Sequence, residues 1–244
     1  MRRLPDGPPK HAPAEITTAE QAAAEGAAAG SFLRRLGIDV DLAPVLDTPT
    51  SAGNFLGTRA FGGDPGRNAQ LGTAFLRALQ GRGVAATAKH FPGLGTARAN
   101  TDFHHVWITT PRAALDARLA PFAAAVRAGV ELVMVSNAGY RAYDASGLPA
   151  VLSRPIVTGL LRGRLRFDGL VISDAMEAPG PSARAGAAAK AVAAGVDVLL
   201  YTSEAAGTAA FEELLAAARA GEVSMPELRA ANERIAALKR RLAR

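Results

Sequence analysis

A chain of 244 residues, 49% hydrophobic and 20% charged, is long enough for one large core and too apolar to remain disordered. The absence of cysteine excludes disulfides and thiolate chemistry. No apolar run approaches the roughly 20 residues of a membrane helix, and the net charge of +6 is spread over scattered arginines without a dense basic run, which argues against nucleic acid as a partner. Met1-Arg2-Arg3 leads into Pro-rich sequence instead of an apolar signal segment, so the chain as written reads as cytoplasmic unless a signal lies upstream of a misplaced start.

In chain order, an Ala-rich helix over 18–36 ends at Gly37, and a β-branched run (38–46) follows at once. Asp64-Pro65 opens a helix through Arg82, with Gly83 and the strand VAATA behind it. Thr110-Pro111 opens the next, through Ala128, before Gly129 and VELVMVS. Ser153 caps a helix starting near Pro155, and Gly169 precedes LVIS. A helix over 182–194 ends at Gly195 before VDVLLY. Helices over 205–220 and, from the capping box Ser224-Met225-Pro226-Glu227, 224–242 close the chain. Each start pairs an N-cap side chain or proline with the first turn, and each glycine suits the left-handed position after a helix. The repeat predicts seven helices alternating with about five buried parallel strands.

Such a sheet is either doubly wound or a (β/α) barrel. Polar residues gather where strands end: Asp47, Lys89 with His90, Ser136 with Asn137, Ser173 with Asp174, and Tyr201 with Thr202. A barrel builds its site there, whereas a dinucleotide fold carries a G-x-G-x-x-G turn that this sequence lacks. The predicted fold is α/β, an incomplete (β/α)8 TIM-type barrel without its first strands, forming one partial domain over 1–244.

Three groups point to chemistry. Lys89 and His90 leave an apolar strand into a Gly/Pro loop, where burial without a partner is costly, so they suit ligand binding. Asp174 ends its strand where a carboxylate can face a pocket; the alternative is a helix N-cap. Asp102 and His104, at alternate positions, suit a carboxylate-held imidazole acting as general acid/base. Their alternatives are two solvent-exposed histidines or metal ligation, and no second cluster with metal spacing supports the latter.

The segments LAPVLD (42–47), RAFG (59–62), KHFPG (89–93) and ISD (172–174) together resemble glycoside hydrolase family 3, nearest its β-N-acetylhexosaminidase branch, over nearly the whole chain. The resemblance implies an exo-acting retaining hydrolase of terminal β-linked sugar, with Asp174 as nucleophile and no cofactor or metal. It implies sugar binding by Arg59, Lys89 and His90 and an acid/base dyad of Asp102 and His104, and Asp47, ending its strand at the same rim, is expected to be a further substrate-binding residue. Three features depart from the branch: Leu94 stands where it has histidine, the dyad lies two residues further from Lys89, and the family's opening Asp-Gln-Glu-Gly-Gly-Arg segment has no counterpart before Arg2-Arg3-Leu4-Pro5. They motivate an alternative, a catalytically silent sugar-binding domain. A carbohydrate is the expected partner, and open sheet edges predict marginal stability and self-association.

Overall fold

The computed structural model describes residues 7–51 and 53–243; the Arg2-Arg3-Leu4-Pro5 start of the resemblance lies outside them. The strands are β1 (Val40–Asp41), β2 (Ala85–Phe91), β3 (Trp107–Ile108), β4 (Leu132–Val135), β5 (Gly139–Tyr140), β6 (Leu170–Ala175) and β7 (Val198–Leu200). The α-helices are α1 (Ala19–Arg35), α2 (Pro65–Gln80), α3 (Arg112–Ala117), α4 (Ala120–Arg127), α5 (Pro179–Ser182), α6 (Ala187–Ala194), α7 (Glu204–Arg219) and α8 (Met225–Leu242). Five parallel strands in the order β1-β2-β4-β6-β7 alternate with helices, an α/β sheet of the incomplete TIM-type barrel class. No described helix is long and apolar enough to cross a membrane.

The chain clusters into two compact units. The first comprises Met1–Thr96, Ala113–Val133 and Leu242–Arg244. In it α1 packs closely on α2: a Cβ on Gly26 would collide with the Phe75 carbonyl, so only glycine lets the helices approach this far. β1 is shorter than the predicted 38–46 strand because Pro44 has no N–H to give a ladder. The segment nonetheless follows β2, with Thr87 N–H on the Ala43 carbonyl (2.8 Å) and Leu46 N–H on the Lys89 carbonyl (2.6 Å). The helix predicted from Pro111 to Ala128 is broken between α3 and α4, since Pro121 cannot donate back to the preceding turn.

The second unit comprises Ala97–Arg112 and Met134–Arg241. Here β6 pairs with β7, and β3 pairs in parallel with β5 in a two-stranded sheet that the sequence pattern did not announce. The helix predicted over 182–194 begins only at Ala187, after Gly186, whose φ is +67°. Four of the five punctuating glycines take positive φ as expected, namely Gly37, Gly83, Gly129 and Gly195. Gly169 does not; the wide helical segment Pro155–Arg164 ends earlier, and Arg166 takes the left-handed conformation (φ 57°). Ser224 caps α8 through Glu227 N–H (3.3 Å), while the Glu227 carboxylate, expected to complete the box, binds Arg154 instead (2.8 Å).

Candidate active site

In the first unit the site is built around a buried carboxylate. Asp47 is 0% exposed, so its charge has to be matched by donors. Its oxygens take His90 Nδ1–H at 2.6 Å, Leu94 N–H at 2.6 Å and, at 3.3 Å, His90 N–H. A carboxylate only accepts, so a proton of the His90 imidazole sits on Nδ1. Leu94, the departure from the family's histidine, contributes through its backbone, and its side chain is buried.

The neighbouring loops are tied to this hub. Asn68 on α2 donates to the Asp47 carbonyl (2.8 Å) and the Gly62 carbonyl (3.1 Å), fixing the RAFG turn that carries half-buried Arg59. Thr50 N–H and the Asn54 amide meet the Gly95 carbonyl, and Arg118 reaches the carbonyl and hydroxyl of Thr48. Asn68 and Arg118 escaped the sequence reading, although Asn68 was findable as a polar residue on the buried Leu71, Phe75 and Leu79 face of α2. Lys89 is half-buried on β2. Burial pushes the Asp41 carboxyl above its usual range, and the Lys89 ammonium partly offsets that.

In the second unit Asp174 ends β6, half-buried, with Oδ1 accepting the N–H of Ala175 at 2.9 Å. It caps no helix: α5 starts only at Pro179, behind Ala178. Beneath it the buried Ser173 hydroxyl accepts Leu200 N–H (2.8 Å), and the Asn137 amide holds the Ala175 carbonyl (2.7 Å). Glu177 accepts the N–H groups of Thr202 and Ser203; burial pushes its carboxyl up, but its own backbone N–H together with these donors holds it below the usual range.

Asp102 and His104 lie exposed in the loop before β3. The Asp102 carboxylate binds the Asn100 amide (3.2 Å), and His104 N–H meets the Asn100 carbonyl (3.1 Å). Their side chains are therefore not hydrogen-bonded to each other. No group of three or more His, Asp or Glu side chains among the described residues is placed to hold a metal ion. A cleft of about 510 Å³ lined by β7, α7 and α8 contains none of these candidate residues.

Parallel strands alternating with helices, with a carboxylate, an imidazole and an ammonium where strands end, define an α/β domain of the barrel type, whose sites are built at strand ends. The profile of the Glycosyl hydrolase family 3 N terminal domain matches residues 3–238, and the chain belongs to that family. A secreted glycosyl hydrolase of Arthroderma benhamiae is 37% identical over 257 aligned positions, covering 99% of this chain and 72% of that protein. A β-hexosaminidase of Pseudomonas aeruginosa is 36% identical over 201, covering 80% of this chain but only 58% of the relative. The structure of a family 3 β-N-acetylglucosaminidase from Paenibacillus sp. str. FPU-7 superposes with a TM-score of 0.90 at 38% identity, over 93% of this chain and 44% of that one. The chain thus spans about half the length of these two hexosaminidase relatives.

Proposed function

We propose that the chain serves an exo-acting retaining glycoside hydrolase that releases terminal β-linked N-acetylhexosamine, with Asp174 as the nucleophile. The observation that carries this reading is the position of Asp174: a half-buried carboxylate at the end of a barrel-type strand, with no helix to cap. The sugar is suggested by the Pseudomonas β-hexosaminidase and the Paenibacillus β-N-acetylglucosaminidase.

An Asp174 oxygen attacks the anomeric carbon as the bond to the leaving oxygen breaks, and the general acid gives that oxygen its proton. Water then attacks the glycosyl ester, the same group takes the water's proton, and the carboxylate is freed. His104 has the acid/base role, oriented by Asp102 once the loop gives up the Asn100 bond. Arg59, Lys89 and His90 bind the terminal sugar's hydroxyls. Asp47, having no exposed surface, acts through His90 as a positioning residue.

A 2-deoxy-2-fluoro glycoside with a good leaving group is expected to label one peptide, containing Asp174, and Asp174→Asn to lower kcat by several orders of magnitude with little change in ground-state binding. Labelling elsewhere removes the assignment. One observation favours a second reading, a sugar-binding domain without turnover: Asp102 is committed to Asn100 and not to His104. Saturable binding of N-acetylglucosamine with no hydrolysis of an aryl β-N-acetylglucosaminide decides for it.

A further inference from the structure

The strand that ends in Asp174 is out of step with its neighbour. Ile172 on β6 pairs with Val198 on β7 and Ala175 with Leu200, so three residue steps on β6 run beside two on β7. The extra residue, a β-bulge, falls at Ser173-Asp174. Bulges are rare between parallel strands, and one extra residue breaks the two-residue alternation of side chains, so Asp174 is not confined to the face of the sheet that Ile172 sets.

A bulge also leaves ladder groups in need of partners, and an N–H without one is costly away from water. Leu200 spans the gap. Its carbonyl accepts Met176 N–H at 3.0 Å, a backbone bond, whereas its own N–H ends on the Ser173 hydroxyl at 2.8 Å, a side chain standing in for a strand carbonyl. Ser173 is fully buried, so solvent does not replace that oxygen if it is removed.

The exit from the bulge is held from the other side. Asp174 Oδ1 accepts Ala175 N–H at 2.9 Å, and the Ala175 carbonyl takes the Asn137 amide at 2.7 Å, so the residue on which the carboxylate leans is itself anchored to the segment after β4. Asn137 is fixed in turn by α5, because a Cβ on Gly180 would collide with its carbonyl. The Asn137 amide oxygen is buried without a hydrogen-bond partner among the described residues, which offsets much of what the donated bond contributes to stability. Placement, more than net stabilisation, is what this side chain supplies.

We infer that Ser173 and Asn137 are positioning residues for Asp174: the serine hydroxyl closes the bulge that re-aims the carboxylate, and the asparagine amide anchors Ala175, against which the carboxylate is set. Their relation to the reaction rests on the reading of Asp174 as nucleophile, while their hold on the Asp174 side chain stands on the geometry alone. Without either, the carboxylate keeps its charge and its place in the chain but samples more than one rotamer, and attack on the anomeric carbon, which needs one orientation, slows.

Three-bond couplings from the backbone nitrogen and carbonyl carbon to Asp174 Cγ read its χ1 angle in the full chain without turnover. A single staggered rotamer is expected in the unsubstituted protein, and averaging among rotamers in Ser173→Ala and Asn137→Leu. Ser173→Thr, which keeps the hydroxyl, restores the single rotamer. Thr158→Val, which removes a hydroxyl bonded to the Ala194 carbonyl elsewhere in the same unit, leaves it unaltered. With an aryl β-N-acetylglucosaminide, Ser173→Ala and Asn137→Leu are expected to lower kcat about tenfold or more with KM changed by less than about twofold, and Ser173→Thr to recover most of the loss. Circular dichroism identifies a variant that does not fold, and the other of the pair then carries both comparisons. Rotamer averaging already in the unsubstituted protein overturns the inference with no variant needed; so do unaltered couplings in both variants, or a loss of kcat that Thr158→Val matches. If the unsubstituted chain neither hydrolyses the glycoside nor is labelled at Asp174 by the 2-fluoro glycoside, the nucleophile reading falls, and the couplings alone decide whether Ser173 and Asn137 hold the carboxylate. Turnover in the unsubstituted chain with kcat unchanged in both variants leaves the nucleophile in place and removes the positioning role.

Discussion

Asp47→Asn isolates the buried hub. The substitution keeps shape and one acceptor oxygen, but it replaces the other oxygen with an NH2 group facing an N–H donor. Two short bonds, from His90 Nδ1 and Leu94 N at 2.6 Å each, are therefore lost or weakened inside a site with no solvent to replace them. Hydrogen bonds to a charged group contribute about 1.5–3 kcal/mol each, and breaking a buried pair from one side costs about 3–5 kcal/mol. A loss of about 3–5 kcal/mol is accordingly expected, lowering Tm on the order of 10 °C for a chain of this size. Asp39→Asn is the contrast: its partner Arg34 and Asp39 itself are 41% and 53% exposed, so less than about 1 kcal/mol is at stake. Urea denaturation read by circular dichroism measures both, and amide exchange at His90 and Leu94 localises the effect. If the two variants differ by less than about 1 kcal/mol and both amides stay protected, the hub argument is wrong.

The other expectations are more local. His104→Ala should slow a natural disaccharide at least about tenfold more than an aryl glycoside with a good leaving group, since proton donation matters most for a poor one; equal losses, measured as kcat/KM, would sink the acid/base role. Asp41 has a folded pKa raised above 3.8, so its own contribution to stability should be fully present below that pH and be lost as pH rises through the folded value. Asp41→Asn should abolish that loss and be the more stable form at pH 7 in urea titrations at a series of pH values; a parallel pH dependence in both proteins contradicts it. β1 and β7 end the described sheet order, so sedimentation velocity should show concentration-dependent self-association, and a monomer at every concentration would count against open-edge pairing.

The alternation of helix and strand was readable because it is local: capping side chains, glycine after a helix and β-branched runs act within a few residues. The same reading placed Lys89, His90 and Asp174 at strand ends, since position along a strand is a sequence property. It overran at Pro44, Pro121 and Gly186, where one missing N–H or one left-handed residue interrupts an otherwise continuous pattern. The pairing of Asp47 with His90 spans 43 residues, the Asn68 bond to the Asp47 carbonyl spans 21, and β3 finds β5 through Trp107 and Gly139. Such contacts leave no periodic trace. Whether Asp102 holds His104 or Asn100 was likewise undetermined, because a two-residue spacing permits both and only the folded loop selects the Asn100 amide. Sequence by itself determined which residues stand at the ends of strands; the tertiary structure decided which of them are buried as supports and which keep a surface for a ligand, because burial depends on chain segments far apart in sequence.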